Sequence, residues 1–251
     1  MKSAPVFDRA FRENYCLIAP LLVHSPPYDT FSHDPTIMQD TAAPAQTGRP
    51  ALILASSSRY RRELLERLRI PFDTAVPAID ETPQPGETPE ATALRLADAK
   101  ARAVAAALPA GAGRALVIGS DQVATFDGHQ IGKPGTHERA LEQLRAMRGR
   151  EVLFHSALSL LDTATGQTAS VDIVTKVRFR DLPDAALDAY LRAEQPYDCA
   201  GSAKSEGLGI ALLDAIESDD PTALIGLPLV ALTRMLLAAG YPLLAPQEGR
   251  P

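Results

Sequence analysis

ALILASSSRYRRELLERLR, residues 51–69, contains a short apolar run, three serines and an amphipathic helix. Its first five residues have the length and composition of a buried strand. Leu64, Leu65 and Leu68 then recur at helical spacing. A strand that leads directly into a helix N-terminus presents free backbone N–H groups, which bind anions. The segment therefore predicts a strand–helix unit whose connecting turn is suited to phosphate.

Arginines in the first turn of this helix bear on the same question. Arg59, Arg61 and Arg62 lie where the helix dipole is already positive, which is unfavourable unless an anion binds. A phosphate would satisfy the guanidinium groups, the serine hydroxyls and the backbone N–H groups together. In the alternative interpretation, the serines only cap the helix and the arginines point into water. The segment alone leaves both interpretations open.

The overall composition excludes several functional classes. The chain has 251 residues, enough for one large α/β domain, and a net charge of −6. It contains neither a basic stripe with aromatic residues nor a run of 18 apolar residues, so we expect no nucleic-acid or membrane partner. Cys16 and Cys199 lie far apart and form no CxxC motif, which argues against a disulfide framework or a zinc knuckle. We therefore expect a reducing, cytoplasmic location.

The two ends of the chain differ from its centre. Residues 1–49 are rich in proline and histidine and lack sustained periodicity, which predicts a disordered extension. One hypothesis is that translation starts at Met38, just before the first strand. Residues 50–245 then form the folded domain, and residues 246–251 form a short tail.

A second informative segment is ALVIGSDQV, residues 115–123. Its continuous apolar run predicts a buried strand, and Asp121 follows near its exit, where open α/β sheets bind ligands. Asp127-Gly128 predicts a two-residue turn that returns the chain toward Lys133. Asp121 could instead be an ordinary turn or capping residue, and the segment alone does not separate these roles.

Two further regions contain charged residues that could belong to a site: a loop followed by a helix, and a glycine-rich segment. Thr88-Pro89 predicts a helix start after a proline-rich loop that contains Glu81. In that helix, Lys100 lies beside the apolar face and by itself is typical of a surface lysine. Later, the glycine-rich segment 198–209 presents Lys204 and Glu206, and residues 210–216 are predicted to form a strand.

Together these segments resemble the Maf family of nucleoside triphosphate pyrophosphatases. The resemblance covers roughly residues 51–244 and is specific because many motifs occur in one order. The motifs are LILASSSRYRRELL (52–65), DET (80–82), Lys100 in its helix, IGSDQV (118–123), GKP (132–134), CAGSAKSEGLG (199–209) and IGLPL (225–229).

The resemblance implies a mixed α/β fold, in which a long twisted sheet spans two lobes with a cleft between them. It implies hydrolysis of a nucleoside triphosphate to the monophosphate and pyrophosphate, with a divalent cation, Mg²⁺ or Mn²⁺, as cofactor. A homodimer is left open. By the same resemblance, Asp121 accepts a proton from the attacking water, and Glu81 joins Asp121 as a metal ligand. The phosphate-binding residues implied are Ser56, Arg61, Arg62, Lys100, Lys133 and Lys204.

Tyr60, Gln122 and Glu206 occupy the positions that distinguish branches of this family. They resemble the branch that acts on 7-methyl-GTP. A tyrosine face and a nearby carboxylate suit the positive charge of a 7-methylated guanine. The alternatives are a dTTP/UTP pyrophosphatase of the same family and a nucleotide-binding regulator of cell division. Two residues depart from the family pattern: Arg59 replaces a usual proline, and Ala203 a common aromatic residue.

Overall fold

A computed structural model describes residues 49–244 of the protein. The five α-helices of this part are α1 Arg59–Glu66, α2 Pro89–Ala106, α3 His137–Met147, α4 Asp184–Glu194 and α5 Leu229–Ala238. Its strands are β1 Ala51–Ala55, β2 Asp73–Ala75, β3 Ala115–Phe126, β4 His129–Ile131, β5 Glu151–Asp162, β6 Thr168–Phe179 and β7 Leu213–Ser218. Short 3₁₀ helices form at Ala200–Ser202, Leu208–Leu212 and Ala223–Ile225.

The strands form one seven-stranded mixed sheet in the order β2-β1-β3-β5-β6-β7, with β4 paired to β3. Strand β1 is parallel to both β2 and β3, whereas β3, β5, β6 and β7 pair with their neighbours in antiparallel fashion. The β1–α1–β2 segment at one edge is thus a parallel unit joined to an antiparallel meander. This arrangement confirms the predicted mixed α/β class.

Strands β3 and β5 each pass through two hydrophobic cores. Leu116 of β3 and Leu158 of β5 lie in a first core, which α1 and α5 cover. Farther along the same strands, Ala124 and Phe154 lie in a second core, which α3 and α4 cover. The sheet thus spans two lobes, as the family resemblance implies.

Local sequence signals explain several element boundaries. Thr88 caps α2 by accepting a hydrogen bond from the backbone N–H of Ala91, and Pro89 occupies the first turn as predicted. The predicted strand at residues 210–216 was wrong in its first half, because β7 begins only at Leu213. A Cβ at Gly209 would lie 2.5 Å from the backbone nitrogen of Lys204, so the chain stays in a compact loop there.

Predictions for the chain ends lie outside the described residues. The extension up to residue 48, the Met38 start, Cys16 and the tail at residues 246–251 all fall in this category. Among residues 49–244, no helix combines the length and apolarity needed to cross a bilayer.

Close packing of β3 against α2 gives a first prediction. At Gly119, a Cβ would collide with the carbonyl oxygen of Ala97 and lie 2.9 Å from the backbone nitrogen of Ala101. Because backbone atoms cannot rotate away, Gly119→Ala should lower the free energy of unfolding by about 3 kcal/mol. Urea denaturation measures this loss. Gly113→Ala is the control, since a Cβ there meets nothing within 4 Å, and an equal loss in both variants would contradict the argument.

Candidate active site

A cleft of about 650 Å³ opens at the start of α1 and the middle of β3. The loop before α2, the β4 hairpin, the segment around residues 198–206 and the turn at 223–226 complete its walls. Nine of the eleven residues predicted for the site line this cleft: Ser56, Tyr60, Arg61, Glu81, Lys100, Asp121, Gln122, Lys133 and Glu206. Segments up to about 150 residues apart in sequence therefore converge as the resemblance implies.

Lys100 contacts both carboxylates at the charged end of the cleft. Its ammonium nitrogen donates to Oδ1 of Asp121 at 2.6 Å and lies 2.8 Å from Oε1 of Glu81. The Lys100 side chain is only 6% exposed, so the interpretation of Lys100 as a surface lysine was wrong. Leu96, Lys100 and Val104 recur every four residues and share the buried face of α2. Such a buried ammonium requires carboxylate partners, and the fold supplies two.

Glu81 is the more exposed of these two carboxylates. Partial burial would raise the pKa of Glu81, but the hydrogen bond and charge of Lys100 outweigh it and hold the pKa below its usual value. The charges of Lys133 and Arg61 act in the same direction. Glu81 is therefore ionised at neutral pH, and this end of the cleft brings fixed charges of both signs together.

The start of α1 contributes cations and hydroxyl groups. Ser58 caps the helix by accepting a hydrogen bond from the backbone N–H of Arg61, and Ser56 accepts one from the N–H of Ser58. The Arg61 side chain turns inward and donates from Nε to the carbonyl oxygen of Gly226 at 2.9 Å. Burial lowers the pKa of Arg61, against the charges of Asp121 and Glu81. A guanidinium nonetheless stays protonated at neutral pH, so Arg61 is a positive charge facing the cleft.

Side chains of strand β3 hold the turn at residues 223–226 in place by hydrogen bonds to its backbone. Gln122 donates from Nε2 to the carbonyl oxygens of Ala223 and Leu224, both at 3.0 Å. The hydroxyl of Ser120 donates to the carbonyl oxygen of Gly226 at 3.0 Å. Gly226 adopts φ 122°, which few other residues tolerate. Gln122 therefore positions a wall of the cleft, a role that its place in the IGSDQV motif did not indicate.

Aromatic and charged side chains occupy the other end of the cleft. Tyr60 accepts a 2.7 Å hydrogen bond at its hydroxyl from Arg59, and Glu206 lines the wall beside it. Burial raises the pKa of Tyr60 although the Arg59 hydrogen bond opposes this, so the phenol is neutral at physiological pH. The geometry thus gives this end an aromatic ring and a carboxylate, the pair expected to contact a base.

Two predicted phosphate-binding residues lie outside the cleft lining. Arg62 points away from it and donates to the hydroxyl of Thr74 at 2.9 Å. Lys204 donates to Oε1 of Glu194 at 2.8 Å, and this ion pair fixes it beside Tyr60. Arg61 and Arg62 are adjacent in sequence, but consecutive helical residues point about 100° apart, so only one of them faces the ligand space.

Several lining residues were not among those predicted for the site. Phe154 and Val123 supply apolar wall, and Cys199 supplies a half-buried thiol. Burial, with the charge of Asp198, raises the pKa of Cys199 to about 11, so the thiol stays protonated and is a poor nucleophile. The chemistry of the cleft is therefore that of its carboxylates and cations, not of a covalent thiol intermediate.

Glu81 and Asp121 are the residues predicted to bind a metal ion. No group of three or more His, Cys, Asp or Glu side chains within residues 49–244 is arranged to hold one. Both carboxylates nevertheless approach one ammonium group, which shows that the space between them accommodates a positive charge. Mg²⁺ is commonly held by one or two carboxylates, with phosphate oxygens and water as its other ligands. The donor set therefore fits a divalent cation that binds together with a phosphate-bearing ligand.

The loop that carries Glu81 is attached to α2 by an ion pair. Arg95 donates to both carboxylate oxygens of Glu87, at 2.6 and 2.8 Å, and to the carbonyl oxygen of Thr82 at 3.2 Å. Glu87 also accepts a hydrogen bond from the backbone N–H of Gln84. Because Thr82 adjoins Glu81, this network restrains the backbone that presents Glu81 to Lys100.

The pH dependence of this network gives a second prediction. The hydrogen bonds from Arg95 and from the Gln84 backbone lower the pKa of Glu87 from 4.5 to about 2. Ionised Glu87 therefore stabilises the fold fully above pH 4.5, and this contribution is lost as the pH falls toward 2. Glu87→Gln should destabilise the protein at pH 7, and its difference from wild type should shrink between pH 4.5 and 2.

Urea denaturation at a series of pH values measures both effects. Glu66→Gln, a change at an exposed position of α1, is the control and should not follow this pattern. A Glu87→Gln deficit that stays constant down to pH 2 would argue against the ion pair as its source.

This mixed α/β protein has a cleft that combines buried ammonium–carboxylate contacts, an inward-facing arginine and serine hydroxyls at a helix start, a set of groups suited to a polyanionic ligand. Residues 51–239 match the family model of Maf-like proteins, and the chain belongs to the Maf family.

Relatives with assigned names cover the same part of the chain. A 7-methyl-GTP pyrophosphatase of Paraburkholderia xenovorans is 77% identical over 198 residues, which are 79% of this chain and 96% of the relative. A 7-methyl-GTP pyrophosphatase of Burkholderia thailandensis is 78% identical over 194 residues, 77% of this chain and 90% of the relative. Among solved structures, a nucleoside-triphosphatase (dITP/XTP pyrophosphatase) of Mycobacterium abscessus matches with 17% identity and a TM-score of 0.34. That match covers 77% of this chain and 96% of the other.

Proposed function

We propose that this protein hydrolyses 7-methyl-GTP to 7-methyl-GMP and pyrophosphate. The observation that carries the proposal is the contact of buried Lys100 with Asp121 and Glu81 inside a cleft that also holds Arg61. This arrangement supplies a base, positive charge for phosphates and two carboxylates suited to a divalent cation. The names of relatives at 77% and 78% identity support the same substrate.

In this proposal, Asp121 removes a proton from the attacking water. Its Oδ1 contacts Lys100, and Oδ2 accepts no hydrogen bond from a residue in the described part of the chain. The water oxygen bonds to the α-phosphorus, the bond from that phosphorus to the bridging oxygen breaks, and pyrophosphate leaves. The ammonium of Lys100, 2.6 Å from Oδ1, holds the Asp121 carboxylate in position and is its counter-charge.

Charge on the departing pyrophosphate must be neutralised. Arg61 and Lys133 face the cleft with positive charge, and Ser56 and Ser57 line it near the start of α1. Glu81 and Asp121 would hold a divalent cation, Mg²⁺ or Mn²⁺, which supplies further positive charge to phosphate oxygens when bound. These groups act before and during bond cleavage by orienting the triphosphate.

The end of the cleft that contains Tyr60 and Glu206 is suited to a purine nucleobase that carries hydrogen-bond donors. Tyr60 offers an aromatic face, and the carboxylate of Glu206 can accept from the N1–H and amino groups of a guanine. The proposal extends to a cytoplasmic location, since Cys199 is a free thiol, and to a nucleotide rather than a nucleic acid as partner, given the net charge of −6.

A nucleotide panel tests the proposal. Purified protein with Mg²⁺ would be given 7-methyl-GTP, GTP, dTTP and UTP, and pyrophosphate and orthophosphate would be measured separately. We expect 7-methyl-GTP to have the highest kcat/KM and pyrophosphate to be the inorganic product. Hydrolysis of UTP without hydrolysis of 7-methyl-GTP would support the pyrimidine alternative instead. Absence of turnover with measurable nucleotide binding would support a regulator.

A further inference from the structure

The ring of Tyr60 already contacts a cation of the protein itself. The guanidinium carbon of Arg59 lies over the ring, 4.7 Å from its centroid, while Nη2 of Arg59 donates to the Tyr60 hydroxyl at 2.7 Å. The guanidinium thus spans the ring and is held at two points. Both residues line the cleft, so this stacked pair forms part of the surface that a base would meet.

A second cation approaches the same ring. The ammonium nitrogen of Lys204 lies 5.5 Å from the Tyr60 centroid, within the range of a cation–π contact. Its charge is paired with Glu194 at 2.8 Å, whereas Arg59 forms no ion pair with a carboxylate of residues 49–244, although the charges of Asp198 and Glu63 act on it. Arg59 is therefore the less neutralised of the two cations at the ring.

The contacts of Arg59 and Lys204 with the Tyr60 ring affect how strongly the cleft prefers a cationic nucleobase over a neutral one. We propose that Arg59 is a specificity-determining residue that weakens the preference of the cleft for a positively charged 7-methylguanine over neutral guanine. The inference rests on the proposed function. If the base stacks on the face that Arg59 covers, it must displace the guanidinium. If the base stacks on the opposite face, it contacts a Tyr60 ring that the Arg59 guanidinium already polarises, and such a ring attracts a second cation less strongly. Either geometry penalises a cationic base more than a neutral one.

Arg59 acts on the base and not on the phosphates. Its Nη2 is engaged by the Tyr60 hydroxyl, and its guanidinium lies with Tyr60 and near Asp198, away from the Lys100 and Asp121 contacts. Removing Arg59 should therefore change the ratio between two substrates that carry the same triphosphate. A change that affects both substrates equally cancels in this ratio.

The test compares kcat/KM for 7-methyl-GTP with kcat/KM for GTP in wild type and Arg59→Gln. We expect the ratio to rise about threefold to tenfold in the variant, the range of one cation–π contact. Arg67→Gln removes the same charge from an exposed position at the other end of α1 and should leave the ratio unchanged. An unchanged or lower ratio in Arg59→Gln, or an equal rise in Arg67→Gln, would overturn the proposal.

A double-variant cycle tests whether the effect passes through the ring. In a Tyr60→Leu background, Arg59→Gln should no longer raise the ratio, because the stacked pair is already absent. A rise of the same size in that background would overturn the proposal.

Calorimetric binding of 7-methyl-GMP and GMP gives a readout independent of turnover and should show the same shift in relative affinity in Arg59→Gln. If wild type releases no pyrophosphate from 7-methyl-GTP, the proposed function fails. If wild type does and the ratio does not respond to Arg59→Gln, only this inference fails.

Discussion

Asp121→Asn should reduce kcat for pyrophosphate release by about 10³-fold, with a much smaller change in KM. The amide has nearly the same shape but cannot accept a proton from water, and general-base catalysis commonly contributes 10²- to 10⁴-fold. Lys100 would keep Glu81 as an ionic partner, so the buried ammonium stays compensated and the fold should persist. Steady-state kinetics with 7-methyl-GTP and thermal denaturation measure the two properties.

Asp127→Asn is the matched control for this experiment. Asp127 lies at the turn after the same strand, β3, is half exposed and pairs with Arg150 outside the cleft. Its φ of 49° is one that asparagine tolerates well, so the turn should form unchanged. We expect wild-type turnover in this variant. Undiminished turnover in Asp121→Asn would rule out Asp121 as the base.

Lys100→Met should have the second large effect, on both stability and activity. The methionine side chain fills similar volume but leaves Asp121, which is buried, without its ammonium partner. Removing one member of a buried ion pair commonly costs 3 to 5 kcal/mol, and we expect about 3 kcal/mol here because Glu81 can turn toward water. Loss of a positive charge beside the phosphates should also lower kcat/KM by about 10²-fold or more.

Lys176→Met separates these effects from a general loss of charge. Lys176 is 44% exposed and contacts Glu151 and Glu217 at 3.9 and 3.8 Å on the sheet surface. Such an exposed pair contributes little, so stability and turnover should remain close to wild type. Urea denaturation and pyrophosphate release are again the measurements. A Lys100→Met protein as stable and active as Lys176→Met would contradict the central role assigned to this side chain.

The sequence indicated part of the site through local patterns. Arg61 follows a strand and three serines, so its place at the start of a helix beside the cleft followed from general rules of α/β sheets. Asp121 was expected at the exit of its strand, which was wrong, because β3 continues to Phe126 and Asp121 lies in its middle. Lys100 shows where such reasoning fails. It occupies the buried face of α2, but its burial depends on two carboxylates from distant segments, which a local pattern does not reveal.

Side-chain direction was the other quantity that local sequence did not provide. Arg61 and Arg62 are identical neighbours, yet only Arg61 reaches the Gly226 carbonyl, because the turn at 223–226 lies on its side of the helix. Lys204 and Gln122 were likewise assigned to substrate but are bonded to Glu194 and to the backbone of that turn. Each of these outcomes depends on tertiary partners far away in the chain.

Three strands of twelve residues each, β3, β5 and β6, hold the sheet together, and β3 and β5 cross both hydrophobic cores. Their backbone ladder is continuous along almost the whole length of the β5–β6 pair, so we expect it to stay intact when a nucleotide binds. The loop at residues 77–88 and the segment at 198–206 contribute to the cleft lining. Nucleotide binding should therefore slow amide exchange in these two segments while leaving the sheet unaffected.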